Sequence, residues 1–119
     1  MRSKYKAIKC EMDGITFDSK LERNRYAELK MREKIKLIED LQLQPKFPLV
    51  INGKDVVQRS DRFKNGRRVS YFADFSYVQD GIKIVEDTKG MDTPVSKLKR
   101  AIVEAIYDIN ITIVKSAKE

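Results

Sequence analysis

The chain has 119 residues, enough for one compact domain, and no apolar run in it is long enough to span a membrane. Lysine and arginine outnumber aspartate and glutamate by 25 to 18, a net charge of +7, and there is no histidine. The charge favours a polyanionic partner, although a basic protein without one fits it too. The missing histidine excludes Ser-His-Asp and Cys-His catalysis, histidine metal sites and nucleases with a histidine base. Hydrolysis in this chain must therefore run on carboxylates, lysine and a hard metal ion.

The N-terminal Met1-Arg2-Ser3-Lys4-Tyr5-Lys6 is basic and lacks the apolar stretch of a signal peptide. Cys10 is the only cysteine, so no intramolecular disulfide can form and a zinc cluster is not expected. A cytoplasmic location and a single domain over 1–119 are the expectation. Four Asx-Gly pairs follow as hairpin signals: Asp13-Gly14, Asn52-Gly53, Asn65-Gly66 and Asp80-Gly81.

Ser19-Lys20-Leu21-Glu22 has the spacing of a capping box, which predicts a first helix running to about Lys34. Segments rich in β-branched and aromatic residues then predict an antiparallel meander over roughly 46–51, 54–63, 67–78 and 82–89. Pro94 suits the first turn of a second helix. Val95, Leu98, Ile102, Ala105 and Ile106 follow its i, i+3, i+4, i+7 template, so they form its expected buried stripe. Residues 109–114 read as a last strand, parallel to a partner after the helical crossover. The expected fold is α/β of the mixed α+β kind, a mostly antiparallel sheet flanked by two helices in the order αβββαβ.

The chemistry concentrates in Ala73-Asp74-Phe75 and Val85-Glu86-Asp87-Thr88-Lys89-Gly90. With Asp80-Gly81 as a two-residue turn, Gln79 faces Ile82, and counting back places Asp74 opposite Asp87. Opposed residues share a face, with Cβ atoms about 5 Å apart. Alternation puts Lys89 on that face and sends Glu86 and Thr88 to the other. Opposed carboxylates repel unless a cation lies between them, and a divalent ion such as Mg²⁺ with oxygen ligands answers that need. A solvated charge cluster on a surface hairpin is the alternative, weakened by the apolar neighbours Phe72, Ala73, Phe75 and Val85. Glu22 shares a helix face with Tyr26 and Leu29. It either adds a third carboxylate to the site or completes the capping box with Ser19.

Phe17-Asp18-Ser19-Lys20-Leu21-Glu22, Gln44-Pro45-Lys46-Phe47, Ala73-Asp74-Phe75 and Val85 to Gly90 together resemble the PD-(D/E)XK nuclease superfamily. They resemble more closely a small phage and prophage endonuclease-like family. The layout is also similar to that of phage endonucleases that resolve Holliday junctions. The resemblance spans nearly the whole chain and implies a restriction-endonuclease-like core that hydrolyses DNA phosphodiesters with Mg²⁺, or Mn²⁺ in its place. By it, Glu22, Asp74, Asp87 and the Thr88 carbonyl would hold the metal, and Lys89 would be the catalytic lysine. Ala73 stands where the superfamily name has proline, a variable position. Acids at both 86 and 87 leave two readings of the ligand; only Asp87 has lysine two residues on and faces Asp74, so Glu86 is expected to be a supporting or surface residue.

DNA would be held through its phosphates. Arg59, Arg62, Lys64, Arg67 and Arg68 cluster around Asn65-Gly66, where DNA contact is favoured over a solvated face; Lys97, Lys99 and Arg100 lie on the second helix, where the two readings are even. No base-reading pattern is visible, so DNA structure is the expected determinant, as in branched or flapped recombination and replication intermediates. Cutting a junction twice would call for a homodimer. The competing readings are a catalytically silent nucleic-acid-binding module of the same fold and a structural or host-interaction protein.

Overall fold

The structure, a computed structural model, describes residues 8–89 and 91–119; residues 1–7, with the basic N-terminal run, and Gly90 lie outside the described residues. Strands β1 (Cys10–Met12) and β2 (Ile15–Phe17) form an antiparallel hairpin. Its turn has both Asp13 (φ 54°) and Gly14 (φ 74°) in the left-handed region, the backbone that a tight two-residue hairpin demands. Helix α1 (Lys20–Lys34) follows, with Ser19 as N-cap: its Oγ accepts from Glu22 N at 3.1 Å. Glu22, Arg25, Tyr26 and Leu29 form the buried stripe of α1, two of them charged.

After α1 come β3 (Glu39–Leu43), β4 (Lys46–Pro48), β5 (Val50–Ile51), β6 (Lys54–Asp55), β7 (Val57–Gln58), β8 (Arg67–Arg68) and β9 (Ser70–Phe72). Then come β10 (Phe75–Gln79), β11 (Ile82–Thr88), helix α2 (Pro94–Tyr107) and β12 (Ile111–Val114). The central sheet has four strands in the order β12-β11-β10-β3. β10 is antiparallel to β11 and to β3, whereas β11 and β12 are parallel, as the helical crossover between them led us to expect.

The expected meander needs correction. Residues 39–43 supply a strand of the main sheet, although its only apolar residues are Leu41 and Leu43, on either side of Gln42. The segments 46–51 and 54–63 instead form short ladders outside it: β4 with β9, β5 with β6, and β7 with β8. These meet at Leu49, Val56 and Val69, where Leu49 N donates to Val69 O, Val56 N to Leu49 O and Val69 N to Val56 O. The span 67–78 breaks into β8, β9 and β10, and the break before β10 falls at Ala73-Asp74.

One face of the sheet carries Phe75 and Tyr77 into a core with Phe17, Tyr26, Leu29 and Ile38, beneath α1 and the first hairpin. Val85 and Ile111 enter the second core, with Leu49, Tyr71, Ala73 and Val103 of α2. The expected stripe of α2 is corrected as well. Val103 is its fully buried residue, with Ile102 and Ile106 partly buried, while Val95, Leu98 and Ala105 are exposed. The i, i+4 pattern marks an apolar face but does not say which face is covered. Tyr107 fixes the end of α2 to β4 by donating to Pro48 O at 2.6 Å and stacking edge-on with Phe47. No helix among the described residues is long and apolar enough to cross a membrane.

Candidate functional site

The β10–β11 hairpin runs in the register expected from its turn, from Gln79↔Ile82 to Phe75↔Glu86. Asp80 (φ 53°) and Gly81 (φ 77°) supply the two left-handed residues. One step further on, regular pairing ends. Asp74 N donates to Glu86 O at 3.2 Å and to Asp87 Oδ1 at 2.8 Å, so the backbone of one expected ligand holds the carboxylate of the other. The second Asp87 oxygen accepts from the Tyr71 hydroxyl. Asp87 is 1 % exposed and is sealed beside the α2 core.

The Asp74 carboxylate does not follow simple alternation. Its Oδ2 accepts from Thr88 N (2.7 Å) and Thr88 Oγ1 (2.9 Å), so Asp74 and Thr88 meet although alternation predicts opposite faces. The departure arises because Asp74 lies outside the ladder, where strand alternation no longer governs its direction. Asp74 also lines a small cavity with Glu22, Gln44 and Phe17. Gln44 N closes that edge by donating to Asp74 O at 2.9 Å.

Glu22 turns inward from α1 and is 7 % exposed. The capping interaction at Ser19 uses the Glu22 backbone N–H, so cap and cavity are both served by one residue. Burial first, then the charges of Asp74, Asp18 and Asp87, push the Glu22 carboxyl up to about 7. Burial likewise raises Asp74 and Asp87 above the usual carboxylate range. Against it work the Thr88 hydrogen bonds and Lys89 at Asp74, and Lys89, the Asp74 N–H and Arg100 at Asp87. The half-buried Lys89 thus lies close enough to act on both aspartates, and its N–H anchors to Val114 O at 3.0 Å. Glu22, Asp74, Asp87, Thr88 and Lys89 are brought together. Among the described residues, no three acidic, cysteine or histidine side chains are close enough, as placed, to grip a metal ion.

Glu86 is no surface residue. It is 1 % exposed and accepts from Arg25 Nε (2.6 Å), Arg25 Nη2 (2.9 Å) and the Tyr77 hydroxyl (2.8 Å). Burial and the Glu86 carboxylate push Tyr77 up to about 12. Of the adjacent acids, one therefore belongs to the α1 core and the other to the candidate site. Sequence reasoning missed Arg25 and Tyr77. The signal was present in Arg25, which shares the helix stripe of Glu22, Tyr26 and Leu29; a charge in that stripe demands a buried partner.

The residues expected to hold DNA divide into two groups. Arg59, Arg62, Lys64, Arg67 and Arg68 are all exposed on or beside the β7–β8 hairpin. Within it, Arg62 and Arg67 lie over the Phe63 ring, each 5.5 Å from the centroid. Gly66 (φ 93°) closes this loop, and a Cβ there would lie 2.9 Å from Val57 Cβ, so only glycine fits. On α2, Lys97 is exposed, but Arg100 makes two bonds to Asp92, 2.5 and 3.2 Å.

The DUF1064 model, described as a protein of unknown function, matches residues 2–119. The chain belongs to the DUF1064 family. No curated protein matches it. No solved structure does so either.

Proposed function

We propose that this DUF1064 chain is a metal-dependent DNA endonuclease of the PD-(D/E)XK type. The observation that carries the reading is the gathering of buried Glu22 and Asp87 with half-buried Asp74 where β10 and β11 part, with Lys89 acting on both aspartates. Buried like charges are costly, and conventional cores avoid them. At fold level, a mixed, mostly antiparallel four-stranded sheet, β12-β11-β10-β3, with two helices is compatible with such a core.

The residues suit a hard divalent cation in donor type and in charge: all three are oxygen donors, and their mutual repulsion is what a cation relieves. Glu22, Asp74, Asp87 and the Thr88 carbonyl would hold Mg²⁺ or Mn²⁺, which supplies charge neutralisation at a phosphate and a more acidic bound water. Lys89 would place its ammonium against the reacting phosphate and the attacking water. Tyr71 and the Asp74 N–H keep Asp87 oriented, and Arg25 with Tyr77 holds the adjacent Glu86 out of the site. The exposed cations of the β7–β8 hairpin would contact DNA phosphates, with Lys97 and Arg100 of α2 as further candidates. Products with 5′-phosphate and 3′-hydroxyl ends and a phage or prophage role inside the bacterial cell, acting as a dimer where a junction is cut twice, belong to the same proposal.

The test is cleavage of labelled linear, flapped and four-way DNA in Mg²⁺ or Mn²⁺. The reading predicts cleavage of at least one substrate and none in chelator. DNA binding without cleavage of any substrate would instead establish a silent binding module.

A further inference from the structure

We infer that a groove beside the candidate site holds unpaired nucleotides of a DNA substrate, stacking a base on Phe72. The inference rests on the nuclease reading for its biological sense but not for its test. The groove, of about 250 Å³, is lined by Lys46, Arg67, Arg68, Lys99, Ser70 and Phe72, together with neutral side chains and no acid. Four cations there come from three separate parts of the chain: β4, β8 and α2. Arg68 lies 3.8 Å from the exposed Asp55 outside the lining, and the remaining three cations face no carboxylate in it, which suits a polyanion.

Phosphate attraction alone does not distinguish duplex from single strand. Phe72 does. Phe72 is 57 % exposed at the end of β9, and Lys46 Nζ lies 5.9 Å from its ring centroid. An exposed ring beside cations is the arrangement on which unpaired bases stack. In a duplex the base faces are already covered by their neighbours, and such a ring would have nothing to receive. Phe63 adds order, since it holds the Arg67 guanidinium that also lines the groove.

Position ties the groove to the chemistry. Phe72 precedes Asp74 by two residues, at most roughly 7 Å of chain. That stretch is fixed to the preceding loop by Ala73 N donating to Pro45 O at 3.1 Å and Gln44 N donating to Asp74 O at 2.9 Å. From the other side, Lys99 adjoins Arg100, whose charge acts on Asp87. The groove and the carboxylates are thus held by neighbouring residues of the same two stretches of chain, 72–74 and 99–100.

Fluorescence anisotropy on the full chain in chelator tests this with one labelled DNA strand, its blunt duplex, the duplex with a single-stranded tail, and the RNA of the same sequence. The expected result is about tenfold tighter binding of strand and tailed duplex than of blunt duplex. Phe72→Ala should remove that preference, weakening the unpaired substrates about tenfold and leaving the duplex within about twofold. Lys99→Gln should weaken all DNA forms and lower the salt slope by about one. Equal binding of strand and blunt duplex, an equal loss on all forms in Phe72→Ala, or tighter binding of RNA would overturn the inference. Because no cleavage is required, a failed nuclease assay leaves this result standing, and failure here leaves cleavage untouched.

Discussion

Arg25 and Glu86 meet in the interior as a two-bonded ion pair, Nε to Oε1 at 2.6 Å and Nη2 to Oε2 at 2.9 Å. The same guanidinium donates to Ala117 O and Glu119 O, so one side chain joins α1, β11 and the C-terminal segment. This pair explains how neighbouring acids on one strand have separate fates: Glu86 is neutralised inside the α1 core, and Asp87 is left to the site.

Removing one partner strands a buried charge. Arg25→Met is expected to lower stability by about 3–5 kcal/mol, measured by urea unfolding. Arg25→Met combined with Glu86→Leu should recover most of that loss, because apolar pairs of similar volume tolerate such sites. Simple additivity of the two single losses would contradict this account of the pair.

Glu22 sets a pH dependence of stability. Its carboxyl titrates at about 7 in the folded chain against an ordinary 4.5, so the folded state holds the proton more tightly. The stability from this group is fully present below the ordinary value and is lost as pH rises through about 7. The loss is on the order of 3 kcal/mol as an upper bound, the charges of Asp74 and Asp18 being shared with it. Urea unfolding in chelator at about pH 5 and about pH 8 checks it: Glu22→Gln should gain on the parent chain as pH rises. A constant difference between them would show that Glu22 ionises freely. Mg²⁺ should restore the parent chain chiefly at the higher pH, where three carboxylates need a counter-charge.

The hairpin cations should govern salt dependence. Replacing Arg59, Arg62 and Lys64 by Gln should lower the slope of log affinity against log salt by about one for each phosphate that is no longer neutralised. Arg100→Gln should change the slope less, since its guanidinium is bonded to Asp92, which it holds below the usual carboxylate range. Titrations at several salt concentrations separate the two; a larger change for Arg100→Gln would move the DNA surface to α2.

Much of the site was legible because turns are local. Asp80-Gly81 set the β10–β11 register, and Ser19 set the start of α1, each from one or two residues. The direction of the Asp74 carboxylate was not legible, because it depends on where the ladder stops. The partners of Asp87 and Glu86 were hidden for the same kind of reason: Tyr71, Tyr77 and Arg25 reach them only after distant elements pack. The strand at 39–43 alternates only over Leu41-Gln42-Leu43, too short a signal by itself, and its place in the sheet comes from pairing with β10. Similarly, the covered face of α2 was decided by the sheet beneath it and not by helical period alone.

In the proposed reaction Lys89 and the carboxylates of Glu22, Asp74 and Asp87 hydrolyse DNA together. Single-turnover cleavage of a tailed duplex in Mg²⁺, comparing the parent chain with Lys89→Ala, tests it most directly. Lys89 lies half-buried beyond the end of β11, so the variant should fold, and far-UV circular dichroism would check that. Metal-dependent cleavage by the parent chain is expected, with a rate about 10²–10³ lower for the variant and DNA affinity changed little. Equal rates for the two proteins, or cleavage that persists in chelator, would contradict it.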